Sequence, residues 1–261
     1  MAGTDGVRFH GEPAGFLSYS GLSELGLSNA VTTRHCHGIP AVSDQRWPVG
    51  DEAVRMLGGG GIEVRRAAFA RQVHGVAVAL ASTPGSLGTA DIIVTRTADQ
   101  PVAIFTADCL AVVLFDPERR VLGVAHVGWR GTVAGGARVA VEALAAMDAS
   151  PRCLRVAIAP SIGPCCYEVD AAVVEPLAVA FPASHADWLK PAAPGKWMLD
   201  LWASNEAQLV AAGVLPEHIE NPRLCTACRR DLFYSYRKRD YGRLVTLAAL
   251  PGRSGGRPAP A

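Results

Sequence analysis

Two neighbouring runs, Leu110–Phe115 and Val121–Val127, are apolar at nearly every position rather than at alternate ones. A strand with one face in water alternates apolar and polar residues, whereas a strand apolar throughout has both faces covered. These two segments therefore read as strands of a buried sheet. Further strands are expected at Ala67–Val73 and Val76–Ala81, which flank His74-Gly75, and at Asp91–Thr95, Val102–Thr106, Leu154–Ala159 and Leu244–Leu250, with another ending at Thr32-Thr33-Arg34. Helical spacing begins after Gly131, where Val133, Ala137, Val141 and Leu144 recur up to Met147. Two more helices are expected. One covers Ala171–Phe181, with Pro176 as a kink or in its first turn; the other covers Leu201–Ala212, with Asp200 as N-cap and Gly213 closing it. Ser184–Gly195 reads as a long surface loop. No repeat or linker divides the chain. The expectation is one α+β domain with mixed sheets over residues 1–250, then a disordered tail at 251–261.

With 261 residues the chain can bury a sizeable core, and a formal net charge of +1 exerts no general pull on nucleic acid or a membrane surface. The opening MAGTDGVRFHG lacks the basic start and apolar core of a secretory signal, and no apolar run is long enough to span a bilayer. Seven cysteines, an odd number in a chain too large to need disulfide stapling, suit a reducing compartment. The expected location is the cytoplasm.

The two buried strands carry the chemistry. Between them lies Asp116-Pro117-Glu118-Arg119, a composition that favours a type I turn. A hairpin closed with Asp116 opposite Arg119 would set Cys109 directly opposite His126, with Cα atoms about 5 Å apart on one face. A thiolate and an imidazole so placed can share a metal ion. A catalytic zinc needs a third protein ligand and leaves its fourth position open. His74, at a strand end before Gly75, is the best candidate, although a lone histidine between strands is more often a satisfied core residue.

Six strings occur in order: Arg71-Gln72-Val73-His74-Gly75; Thr106-Ala107-Asp108-Cys109; His126-Val127-Gly128-Trp129-Arg130-Gly131; Gly163-Pro164-Cys165-Cys166-Tyr167-Glu168-Val169; Cys225-Thr226-Ala227-Cys228; and Phe233-Tyr234-Ser235-Tyr236-Arg237. Together they closely resemble the laccase-domain family, whose older label is multicopper polyphenol oxidoreductase and which includes the proteins called peptidoglycan editing factors. Its members are described as purine nucleoside phosphorylases. The resemblance runs from about Thr32 to Leu250. It implies a layered α/β/β/α fold and one zinc ion on His74, Cys109 and His126. It also implies phosphorolysis of adenosine, inosine and S-methyl-5'-thioadenosine, with deamination of adenosine. The partners implied are purine nucleosides and phosphate, with neither nucleic acid nor membrane. One departure is local: where the family usually has a glycine-rich loop after Thr-Thr-Arg, this chain has His35-Cys36-His37-Gly38.

Cys109 and His126 are thus the expected catalytic pair, and Arg34 is a candidate phosphate ligand because a guanidinium can hold two phosphate oxygens at once. A structural Arg paired with a carboxylate is the alternative for Arg34. Asp108 and Glu168 are candidate bases. Gly131-Thr132 opens a helix that either offers N–H groups to an anion or is capped by Thr132. His35, Cys36 and His37 would alternate faces along a strand, which argues against a metal cluster there. Cys225-x-x-Cys228 has half the spacing of a zinc site, but adjacent Cys165-Cys166 is a poor complement, so buried or pocket-lining thiols are expected. Copper is the weaker metal, since seven scattered histidines cannot build a multicopper cluster. Two rival functions use the same residues: an amidase acting on cell-wall precursors with Cys109 as nucleophile and His126 as base, and a zinc-stabilised purine sensor without turnover.

Overall fold

The computed structural model describes residues 6–39 and 49–252. Its strands are β1 (Val7–His10), β2 (Phe16–Tyr19), β3 (Ser28–Thr32), β4 (Ala68–Arg71), β5 (Val78–Leu80), β6 (Gly85–Thr89), β7 (Ile92–Thr95) and β8 (Val102–Thr106). They continue with β9 (Leu110–Asp116), β10 (Val121–Val127), β11 (Arg155–Ile158), β12 (Glu168–Asp170), β13 (Leu189–Pro191), β14 (Lys196–Leu199), β15 (Ile219–Glu220) and β16 (Leu244–Ala249). The α-helices are α1 (Ser20–Glu24), α2 (Asp51–Gly58), α3 (Trp129–Val133), α4 (Gly136–Ala145), α5 (Ala171–Ala180) and α6 (Leu201–Ala211).

Seven strands form one sheet in the order β1-β2-β3-β16-β8-β4-β6, and six form another in the order β15-β11-β9-β10-β7-β5. Side-chain alternation along β9 and β10 explains why both faces of this pair are apolar. Ala111, Val113 and Phe115 of β9, with Leu122 and Val124 of β10, pack towards Leu17, Val31, Val102 and Ile104 of the larger sheet. Leu110, Val112, Leu114, Val121, Ala125 and Val127 face the other way, onto Ala137, Val141 and Leu144 of α4 and Leu201 and Leu209 of α6. The outer face of the larger sheet, through Ala30, Phe69, Phe105 and Leu247, is covered by Ala53 and Leu57 of α2. The result is a helix–sheet–sheet–helix stack, the mixed α/β layering expected. The hydroxyl of Tyr19, on β2, ties the two sheets by donating to the Ile158 carbonyl at 2.6 Å.

Several expectations need correcting. Ser184–Gly195 is not a plain loop: it holds a 3-10 turn at His185–Trp188 and strand β13, which joins β12 and β14 in a third sheet. Trp188 and Leu199 bury against the helical layer, which gives this segment a core of its own to fold on. The helix expected after Gly131 is two helices, broken at Gly135, whose φ of 76° lies in the left-handed region. Thr132 caps nothing, because it sits inside α3 and its hydroxyl donates to the Gly128 carbonyl at 3.1 Å. Pro176 lies inside α5 rather than in its first turn. Asp200 does cap α6, accepting from the Ala203 N–H at 2.9 Å. The tail expected at 251–261 lies, beyond Gly252, outside the described residues. Among the described residues no helix is long and apolar enough to cross a membrane.

Candidate metal centre

Three times the chain passes from the seven-stranded sheet to the six-stranded one: from β4 to β5, from β6 to β7 and from β8 to β9. The crossovers carry His74, Asp91 and Cys109 respectively, and β10, between β7 and β9, adds His126. Two of the crossings turn sharply on a non-glycine residue with positive φ, His74 at 63° and Asp108 at 83°. Such conformations are costly and persist where the surroundings hold them. For His74 the hold is Asp91, whose carboxylate accepts from the N–H groups of Val73, His74 and Gly75 at 3.2, 2.9 and 2.8 Å. The Gln72 side chain secures the same loop to β8, pairing with both the N–H and the carbonyl of Phe105. This crossover is why the strands expected to reach Val73 and to start at Val76 are shorter.

The hairpin register differs from expectation by two residues. The Asp116 side chain accepts from the N–H groups of Glu118 and Arg119, and Arg120 adopts a φ of 52°, so the ladder resumes with Val121 opposite Asp116. His126 then faces Ala111, and Cys109, one residue beyond the ladder, comes level with Gly128. A shift of two preserves the face each side chain points to. Cys109 and His126 therefore still meet, as diagonal neighbours at the end of the seam between the sheets. A methyl group on Gly128 would lie 2.7 Å from the Cys109 sulfur, so the close approach needs glycine there.

The ligand atoms of His74, Cys109 and His126 all lie within 4.8 Å of one another. The two imidazoles meet edge to face at 4.9 Å. His126 is buried, Cys109 half-buried and His74 exposed, so the group is walled on one side and open on the other. Asp91, wholly buried, accepts from His126 Nδ1 at 2.8 Å, which leaves Nε2 for the centre. Burial pushes the Cys109 thiol up, but hydrogen bonds from His126 and His74 outweigh it and bring it to about 7. Burial lowers the His126 imidazole, and Asp91 and Cys109 reverse this and raise it to about 9. A thiolate and two imidazoles, one held by a carboxylate, are donors that suit zinc. Sequence reasoning missed Asp91. Its signal was a lone acid abutting a run buried on both faces, where a charge must be paired.

The remaining candidates fall around this centre or away from it. Asp108 accepts from Thr226 Oγ1 at 2.6 Å, Ser235 Oγ at 3.0 Å and the Arg237 N–H at 2.7 Å, so it anchors loops rather than standing free as a base. Tyr167 lies close enough to feel the charges of Cys109, Arg237, Asp108 and Arg130, and the Arg237 guanidinium sits over its ring at 5.2 Å. Arg34 lies over the Tyr234 ring, 3.6 Å from Asp240, and donates to the Arg230 carbonyl. His35 bonds the Asp231 carbonyl and Cys36 is buried against α2, so the His35-Cys36-His37 trio does not converge. Three arginines of the run 229–239 are engaged within the chain: Arg229 with Asp231, Arg230 with Asp240, and Arg237 with the Glu168 carbonyl. Against expectation, Cys165 and Cys166 do complement Cys225 and Cys228, and the four sulfurs converge within 4.8 Å. Loops some sixty positions apart in sequence meet there, which local spacing could not reveal.

The family model described as multi-copper polyphenol oxidoreductase laccase matches residues 25–251. A purine nucleoside phosphorylase of Deinococcus radiodurans is 36% identical over 216 residues, 82% of this chain and 81% of that protein. The purine nucleoside phosphorylase YlmD of Geobacillus stearothermophilus is 39% identical over 153 residues, 58% of this chain, and the match spans only 56% of that relative's length. A protein named adenosine deaminase RL5, from an unknown prokaryotic organism, is 33% identical over 211 residues, 73% of this chain and 79% of its own. The crystal structure of YlmD from Geobacillus stearothermophilus superposes with a TM-score of 0.83 at 29% identity, covering 94% of this chain and 99% of that one.

Proposed function

The chain belongs to the multi-copper polyphenol oxidoreductase laccase family, and from that premise we propose that it is a zinc-dependent purine nucleoside phosphorylase rather than an oxidase. Its proposed substrates are adenosine, inosine and S-methyl-5'-thioadenosine with phosphate, and adenosine deamination is a side activity. The names of its relatives support nucleoside chemistry. The observation that carries the zinc assignment is the convergence of one thiol and two imidazoles, open on the His74 side and backed by Asp91. The group uses two of the seven histidines, His10, His35, His185 and His218 are hydrogen-bonded elsewhere, and His37 joins no cluster of potential ligands among the described residues, which argues against a multicopper cluster.

His74, Cys109 and His126 would hold the zinc ion, which when bound would supply Lewis acidity. The chain's own residues do the rest. Asp91 keeps the Nδ1 proton on His126 and fixes the ring's orientation. Arg34 is the proposed phosphate ligand, with Arg130 and Arg237, both near Tyr167, as further guanidinium groups.

Changing His74, Cys109 or His126 to Ala should each remove about one zinc per chain and abolish phosphate-dependent release of base from inosine. Full zinc retention in all three variants would sink the assignment. Arg34→Lys separates phosphate binding from a purely structural ion pair. The expected result is a raised KM for phosphate with zinc content and adenosine deamination kept; equal loss of both activities removes Arg34 from the site. The geometry also favours one rival. Cys109 beside His126 is a nucleophile–base arrangement, and a substrate-derived thioester trapped on Cys109 of zinc-free protein would favour the amidase.

A further inference from the structure

We propose a second metal site, a mononuclear zinc clasp formed by Cys165, Cys166, Cys225 and Cys228, apart from the His74–Cys109–His126 centre. Cys165 and Cys166 each lie 3.4 Å, sulfur to sulfur, from Cys228, and all four sulfurs fall within 4.8 Å of one another. A tetrahedral zinc with Zn–S bonds of ~2.3 Å needs sulfurs about 3.8 Å apart, inside that range. A disulfide needs sulfurs ~2.05 Å apart, and all four cysteines are free. A multi-iron cluster spreads its sulfurs further than this group extends, so a single ion is what fits.

The backbone presents the sulfurs from two tight turns. In one, the N–H groups of Cys166 and Tyr167 donate to the Gly163 carbonyl, which lets adjacent sulfurs both face Cys228. In the other, the N–H groups of Cys228 and Arg229 donate to the Cys225 carbonyl. The turns are joined beneath the sulfurs by a bridge between Ser161 and Cys225, and the Gly163 N–H donates to Cys225 Sγ at 3.3 Å. Trp202, packed on Gly163, donates to Ser161 Oγ at 2.7 Å. Hydrogen bonds of the chain itself therefore hold the two turns together. A divalent cation would be held by the four sulfurs as thiolates, each releasing its proton to solvent as it binds.

The clasp would tie the loop bearing Tyr167 to the loop that follows Thr226. Thr226 Oγ1 holds Asp108, the residue before Cys109, so the second site would brace the first from behind. Cys165 and Cys228 are exposed, so replacing them need not disturb packing.

The test is metal analysis of the full chain, purified under argon with zinc supplied. Wild type should hold about two zinc ions, Cys165→Ser/Cys228→Ser about one, and His74→Ala about one. Replacing zinc with cobalt in His74→Ala should give intense thiolate-to-cobalt charge transfer, lost on adding the two serine substitutions. In native zinc-loaded protein these thiols should resist alkylation until a chelator is added. Equal zinc content in wild type and the double-serine protein, free alkylation of loaded protein, or a Cys165–Cys228 disulfide in the argon-purified chain would each overturn the proposal.

Discussion

A neutral imidazole can offer a metal either ring nitrogen, and Asp91 decides which one His126 offers. The same carboxylate holds three consecutive N–H groups of the His74 loop, so one side chain sets the position of two of the three donors. Asp91→Asn keeps the size but replaces an acceptor-only group by one that is half donor. The mutant amide has one acceptor oxygen where the carboxylate had two, so a backbone N–H or the imidazole loses its partner. The expected outcome is a ~10–100-fold weaker zinc affinity in competition with a chelator, typical of losing a carboxylate behind a metal-binding histidine. Unchanged affinity would mean that backbone packing alone orients the pair. A charge beside a run buried on both faces signals a need for a partner, though the reading of the sequence passed over it; what Asp91 partners was not legible at all, because its four side-chain contacts come from two other elements.

At the scale of elements, β9 and β10 are the part of the fold most legible in the sequence, since β10 begins and ends where its apolar run does. The turn between them was not, because a left-handed Arg120 lengthens the loop and no glycine announced it. Strands β1, β2 and β6 and the β12–β14 sheet escaped notice for a different reason: they are short, and β6 is mostly Gly, Ser and Thr. Gly128, just past β10, offers a test of the hairpin's geometry. Its φ of −86° and ψ of −175° suit alanine, so Gly128→Ala carries no backbone penalty. Its methyl would meet the Cys109 sulfur, and displacing that sulfur should weaken zinc binding while thermal unfolding of the zinc-free protein moves little. A large loss of stability with zinc affinity intact would place the strain elsewhere.

For the whole molecule, the layering followed from strands buried on both faces, yet nothing local announced which strands would be neighbours. Strand order is decided by long-range closure, and β16 is the clearest case. It lies between β3 and β8, antiparallel to both, near the middle of the seven-stranded sheet. Until it docks, β1–β3 have no hydrogen-bonded link to β8, β4 and β6 in that sheet. A ribosome delivers residues 244–249 after every other strand among the described residues has emerged. The early strands must therefore wait with two unpaired edges facing each other, a slot that an extended segment of another chain could fill just as well. For this protein the hazard of synthesis lies in that wait, and the last strand is the piece that ends it.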